Sequence, residues 1–332
     1  MILHPAVIAL YVSSALIAFM VFYSAWHGTR ILLKWDISSG SETQLQLERS
    51  TYLISTLLAY AFGVQLLSFF LYIFTAETLH TLFVGAMCAA GALNVNAYGY
   101  PALLLKLFNF LLAGLWLIVN YTDNKAPDYP LVRKKYILLL IIVPFIAAEI
   151  LVQAKYLVGL RADVITSCCG SLFSPDNVGV ASDLAALPAL HAGIAFYLGM
   201  ALTIATGSWF YLKGKGGYIF SLLAGLTFFI SIASLISFIS LYFYEMPSHH
   251  CPFDILQGEY GYVGYPLYMS LLTGGVSGMG VGVLALFRKN KSLAEIVPAV
   301  QKKLALVTVL MYLIFTAIVT YRIIFADFTM RG

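Results

Sequence analysis

Eight stretches of about twenty mostly apolar residues, set apart by linkers of unequal length, constrain this chain more than any other feature. They fall at 5–26, 53–76, 101–120, 136–157, 188–206, 217–243, 266–287 and 304–326. A run of that length crosses the hydrocarbon of a bilayer as a helix. Backbone inside lipid must bond to itself, so each run is predicted to be helical. Composition points the same way: 61% of the 332 residues are hydrophobic and 10% are charged. Soluble domains carry roughly 25% charged residues. The expected fold is therefore all-α, a polytopic integral membrane bundle of about eight transmembrane helices. Residues 1–332 show no long linker, low-complexity tract or convincing repeat, so one transmembrane domain is expected. The net charge of +4 is modest and carries no nucleic-acid signal. The expected surroundings are the lipid bilayer, with a membrane-protein or extracytoplasmic redox partner as a further expectation.

Basic residues orient such a chain, because cytoplasmic loops hold the excess of Lys and Arg. One face receives Arg30, Lys34, Arg49, Lys125, Arg133, Lys134, Lys135, Lys213, Lys215, Arg288, Lys289, Lys291, Lys302 and Lys303. The other receives Lys155, Arg161 and Arg331. The first face is read as cytoplasmic, which places both termini outside an inner or plasma membrane. No Lys or Arg precedes the first apolar run, so that run is read as a retained helix and not a cleaved signal. The stretch 77–99 is apolar and rich in small residues. It is expected to be a re-entrant or interfacial segment, since a ninth span would turn Arg30, Lys34 and Arg49 outward.

This topology gathers chemistry on one side. All four cysteines, Cys88, Cys168, Cys169 and Cys251, lie in the outer segments 77–99, 158–187 and 244–265, together with His80, His249 and His250. His191 lies just inside the outer end of the fifth span. Several readings follow. Thiols outside the cytoplasm tend to oxidise, and four cysteines allow three pairings. A bridge between neighbours is strained, so Cys168 and Cys169 would reach Cys88 and Cys251 separately. Alternatively, Cys88, Cys168, Cys169, His249, His250 and Cys251 form a metal site, with zinc or copper as candidates. A third reading is thiol redox exchange: Cys251 beside two histidines meets the condition of a lowered thiol pKa, and a lipid quinone could take the electrons. A non-enzymatic membrane subunit or transporter with structural disulfides is the alternative from another class.

Two short elements suggest one more. Leu187, Pro188, Ala189, Leu190, His191 and Ala192 resemble the Pro-Ser-Gly-His element of the type 2 phosphatidic-acid phosphatase family. His250, Cys251, Pro252, Phe253 and Asp254 resemble that family's His-x-x-x-Asp element. The resemblance implies a lipid phosphatase in which His250 attacks phosphorus, Asp254 orients it and His191 protonates the leaving group. Cys251, His250, His191 and Asp254 are thus the catalytic candidates. Where the family carries its third-element arginine this chain has Tyr244, and it has no Arg-Pro pair for the first element.

Two charges fall well inside spans, away from their ends. Lys106 and Glu149 lie in neighbouring antiparallel runs, both in the outer half. Ionisable groups in lipid are costly and usually paired or solvated. The expectation is an intramembrane charge pair or a shared aqueous cavity. Gln65 and Asn109 are read as interhelical hydrogen-bonding residues. Gly274, Gly278 and Gly282 recur at four-residue spacing and are read first as a close-packing face, with a substrate path as the minority alternative. Arg322 is expected to snorkel to the interface.

Overall fold

The computed structural model describes residues 3–36, 39–166 and 180–328. Among these, eight helices are long and apolar enough to cross a membrane. The shortest, Gly264–Ala285, has 22 residues, about 33 Å of helix against a hydrocarbon core of about 30 Å. This is an all-α integral membrane protein suited to a lipid environment. The helices generally run past the apolar runs that announce them, because polar turns such as 42–52 continue a helix whose hydrogen bonds are already nucleated.

In chain order the helices are α1 (Pro5–Lys34), α2 (Glu42–Leu79), α3 (Ala89–Leu93), α4 (Gly99–Asp123), α5 (Val132–Val158), α6 (Val180–Ala185), α7 (Ala189–Lys213), α8 (Gly217–Ser234), α9 (Ser240–Tyr244), α10 (Gly264–Ala285) and α11 (Ile296–Phe325). A π turn, Leu235–Ile239, joins α8 to α9, so the two act as one span, Gly217–Tyr244. The stretch 77–99 holds the end of α2, a 3-10 turn and the five-residue α3, and no spanning helix. Five residues rise only about 7.5 Å.

The chain divides into two compact units. The first comprises residues 1–78, 93–164 and 287–297. Its core repeats at helical period along each element: Ile54, Leu58 and Phe62 on α2, and Leu139, Ile142 and Ile146 on α5. Trp116 of α4 closes edge-on against Phe62, ring centroids 5.1 Å apart. At one end of this unit Lys135, which sequence reading assigns to a basic loop, is fully buried in α5. Its Nζ lies 2.8 Å from Asp123 Oδ2 and 3.1 Å from Asn120 Oδ1. Asp123 Oδ1 accepts the Leu131 N–H. The cation ties the α4–α5 turn shut from within.

The second unit comprises residues 79–92, 165–286 and 298–332. The glycines of α10 fill its closest approaches. A Cβ on Gly278 would stand 2.4 Å from the Ala224 Cβ, and one on Gly274 would stand 2.5 Å from the Tyr312 ring. The face is thus occupied by α8 and α11, and packing accounts for it. Gly278→Val is expected to destabilise the protein by about 1–3 kcal/mol through overpacking, measured as a lowered midpoint in detergent unfolding. An unchanged midpoint would mean that α8 and α10 are not in contact. Arg322 of α11 donates to the carbonyls of Tyr242 and Phe243 and to Glu245 Oε1 at 3.0–3.1 Å. It therefore caps the end of α9, where the last carbonyls lack helical partners and favour a cation.

Candidate functional site

The second unit brings two distant segments together. Cys88 immediately precedes α3, and its neighbourhood is fixed by a short pairing with residues 165 and 166. Val84 and Ile165 form an isolated bridge, Thr166 N–H donates to Val84 O at 3.0 Å, and Thr166 Oγ1 donates to Gly91 O at 2.9 Å. Gly85 turns the chain here at φ +87, where a Cβ would strike Thr166 O at 2.5 Å. Only glycine fits that backbone.

The other segment is the loop after α9. Tyr244, at the end of α9, donates its hydroxyl to Cys251 O at 2.6 Å and accepts the Ile255 N–H at 3.0 Å. Tyr268 of α10 donates to Pro252 O. These phenols grip the loop backbone at Cys251, Pro252 and Ile255 and supply hydrogen bonds that buried carbonyls require.

Held in this way, Cys88 Sγ lies 3.3 Å from Cys251 Sγ. Both are fully buried thiols and are not joined in a disulfide. Cys251 Sγ donates to Asp254 Oδ1 at 3.2 Å. The ligand atoms of Cys88, Cys251 and Asp254 all fall within 4.8 Å of one another. The other oxygen of Asp254 faces His249 Nε2 at 2.5 Å, and the His249 ring stands edge-on to Tyr244. Burial opposes ionisation of Asp254, yet hydrogen bonds from His249, Cys88 and Cys251, with the charge of His249, hold its carboxyl below the usual carboxylate range.

That shift has a sign. A carboxyl with a lowered folded pKa contributes stability that is present above its unfolded value and lost as pH falls through the folded one. Thermal stability is therefore expected to fall on acidification below about pH 4, and Asp254→Asn is expected to remove part of that dependence. Identical acid profiles for the two proteins would show that Asp254 is not held ionised by its neighbours.

The sequence candidates part company here. Cys88, Cys251 and Asp254 converge, with His249 behind the carboxylate. His250 does not join them: its Nδ1 lies 2.8 Å from Ile236 O, in the π turn. Neighbouring residues of an irregular loop readily point to opposite sides, and the π turn offers a carbonyl for His250 to bond. The imidazole on Asp254 is therefore His249's, not the one the phosphatase likeness requires. His191 stands exposed in the first turn of α7 and is outside the converging group. Tyr244 spends its hydroxyl on the loop backbone and supplies no cation. Cys168 and Cys169 lie outside the described residues, so Cys88 meets Cys251 directly among those described.

The first unit carries its own polar cluster at membrane depth. Lys106 Nζ lies 2.8 Å from Glu149 Oε1 and donates to Ser68 Oγ at 2.6 Å. Glu149 Oε2 accepts from Gln65 Nε2 and Asn109 Nδ2, each at 2.6 Å. Three helices, α2, α4 and α5, thus meet on one carboxylate. Sequence reading treats Gln65 and Asn109 separately from the charges. The available signal is spacing: Gln65 with Ser68, and Lys106 with Asn109, are each three apart and share a helix face.

The chain matches no family model, no curated protein and no solved structure. The phosphatase likeness rests on its dozen residues alone.

Proposed function

We propose that this integral membrane protein binds a borderline-soft divalent metal ion, of the zinc type, through Cys88, Cys251 and Asp254. The observation that carries this reading is the convergence of two sulfurs and a carboxylate oxygen within 4.8 Å. A tetrahedral ion with M–S near 2.3 Å and M–O near 2.0 Å separates its sulfurs by about 3.8 Å and a sulfur from an oxygen by about 3.5 Å. The observed 3.3 Å and 3.2 Å lie a few tenths of an ångström inside those edges. Thiolates select the softer ions, and the carboxylate admits a harder one, a mixture suited to zinc. Charge supports a divalent ion. Two thiolates and a carboxylate carry three negative charges, most of which a divalent ion offsets. His249 then acts as the outer partner that orients a ligating carboxylate. Three protein ligands leave a fourth position for water or a passing ligand.

The Lys and Arg bias of the sequence supports an extracytoplasmic position for this site. The function is metal handling there.

The test is a zinc titration of reduced, purified protein against a competing chromogenic chelator, with calorimetry in buffers of different ionisation enthalpy. One ion per chain is expected, with two protons released as the thiols ionise. Absence of stoichiometric zinc uptake overturns the reading.

A further inference from the structure

We propose that the two cysteines also form a dithiol–disulfide couple that decides whether the site can hold its ion, an inference that rests on the metal reading above. The geometry that points to it is the sulfur–sulfur contact itself. At 3.3 Å it is shorter than the roughly 3.8 Å edge of a tetrahedral bis-thiolate and longer than the ~2.05 Å of a disulfide. The pair lies between the two states and reaches either by a small movement of its sulfurs. The surrounding backbone can stay in place, because Tyr244 and Tyr268 grip the Cys251 loop while Thr166 grips the Cys88 segment. Asp254 and His249 need not move.

The co-reactant is a disulfide R–S–S–R, on a small molecule or a protein. One site thiolate attacks a sulfur of R–S–S–R, forming a mixed disulfide and expelling one RS⁻. The second site thiolate attacks the mixed disulfide, forming the Cys88–Cys251 bond and expelling the other RS⁻. Two electrons leave the site, each RS⁻ takes a proton from water, and the ion departs because both of its sulfur ligands are consumed. A thiolate, not a disulfide sulfur, is the metal ligand. Both sulfurs are fully buried, so attack waits on local opening, and a bound ion slows it by holding the segments together. The bond would join positions 163 residues apart, so oxidation also fastens the loop after α9 to the segment before α3.

The experiment uses the full chain in detergent, as wild type and with Cys168→Ser and Cys169→Ser, which leaves Cys88 and Cys251 as its cysteines. Zinc-loaded reduced protein is treated with oxidised glutathione while a chromogenic chelator reports zinc and mass spectrometry reports the peptides. The expected result is one zinc released per Cys88–Cys251 linked peptide, slower than linkage in the zinc-free protein, with zinc uptake restored by dithiothreitol. If reduced protein takes up no zinc, the metal reading fails and this proposal with it. If reduced protein binds zinc but the linked peptide does not form in zinc-free protein, or the linked protein keeps its zinc, this proposal alone is overturned.

Discussion

Glu149→Gln is expected to cost about 3–5 kcal/mol of stability, the loss found when one partner of a buried ion pair is removed. Lys106 is 0% exposed, and its side chain meets Glu149 Oε1 and Ser68 Oγ. Without the carboxylate, a positive charge stays at membrane depth with the Ser68 hydroxyl and the face of the Tyr72 ring, 5.5 Å to its centroid, as its company. The neutral amide also brings its own N–H groups against those of Gln65 and Asn109, which already converge on Glu149 Oε2. Donor would then face donor, adding to the Coulombic loss. The pair itself is a different matter from either partner. Desolvation offsets much of what two buried charges gain from each other, so removing both is far cheaper than removing one. Lys106→Met with Glu149→Gln is therefore expected to recover most of the loss. Unfolding midpoints of the purified variants in mixed detergent read both effects. A double variant as unstable as Glu149→Gln alone would mean that the carboxylate serves the two amides and not the lysine.

Cys251→Ser is expected to weaken zinc binding by about a thousandfold. Structural zinc sites are worth roughly 10–16 kcal/mol in all, so one of three ligands accounts for about 4 kcal/mol, or nearly three decades. Serine keeps the shape and can still donate to Asp254, yet its hydroxyl does not ionise to a soft ligand at neutral pH. His249→Ala acts one step removed and is expected to cost 10- to 100-fold, the usual effect of an outer partner. The order of the two losses is as informative as their size. A greater loss in His249→Ala than in Cys251→Ser would move His249 into the coordination shell and a sulfur out of it.

How much of this was written in the chain differs between the fold and the site. Spans are legible because each helix must meet lipid on its own, so the signal is local and additive over about twenty residues. The short α3 is legible for the same reason, since its residues are too few and too small to cross. Helix ends are not, because Lys34 and the turn beginning at Glu42 extend helices into water, where hydropathy says nothing. At the site, residue type pointed to cysteines, His249 and Asp254 as candidates, since such groups are rarely idle together. The partner of each was not legible. His249 and His250 are chemically identical neighbours, and what separates them is the Ile236 carbonyl that the π turn presents. Cys88 and Cys251 are brought together by Gly85, Thr166 and Tyr244, none of which carries site chemistry. Lys135 shows the converse. Its charge counts toward an outward basic loop, while its side chain is buried against Asp123 for reasons of packing that no charge tally contains.

The glycine face of α10 bears on how any site in the second unit could work. Gly264 opens that helix directly under the loop, where a Cβ would lie 2.8 Å from Ile255 O, and Gly274 and Gly278 press farther down against Tyr312 and Ala224. A rod seated this closely along its length has little room to slide or roll. Asp254 and Cys251 are hung from its top end. In the proposed metal site the α10 side would then serve as a fixed jaw.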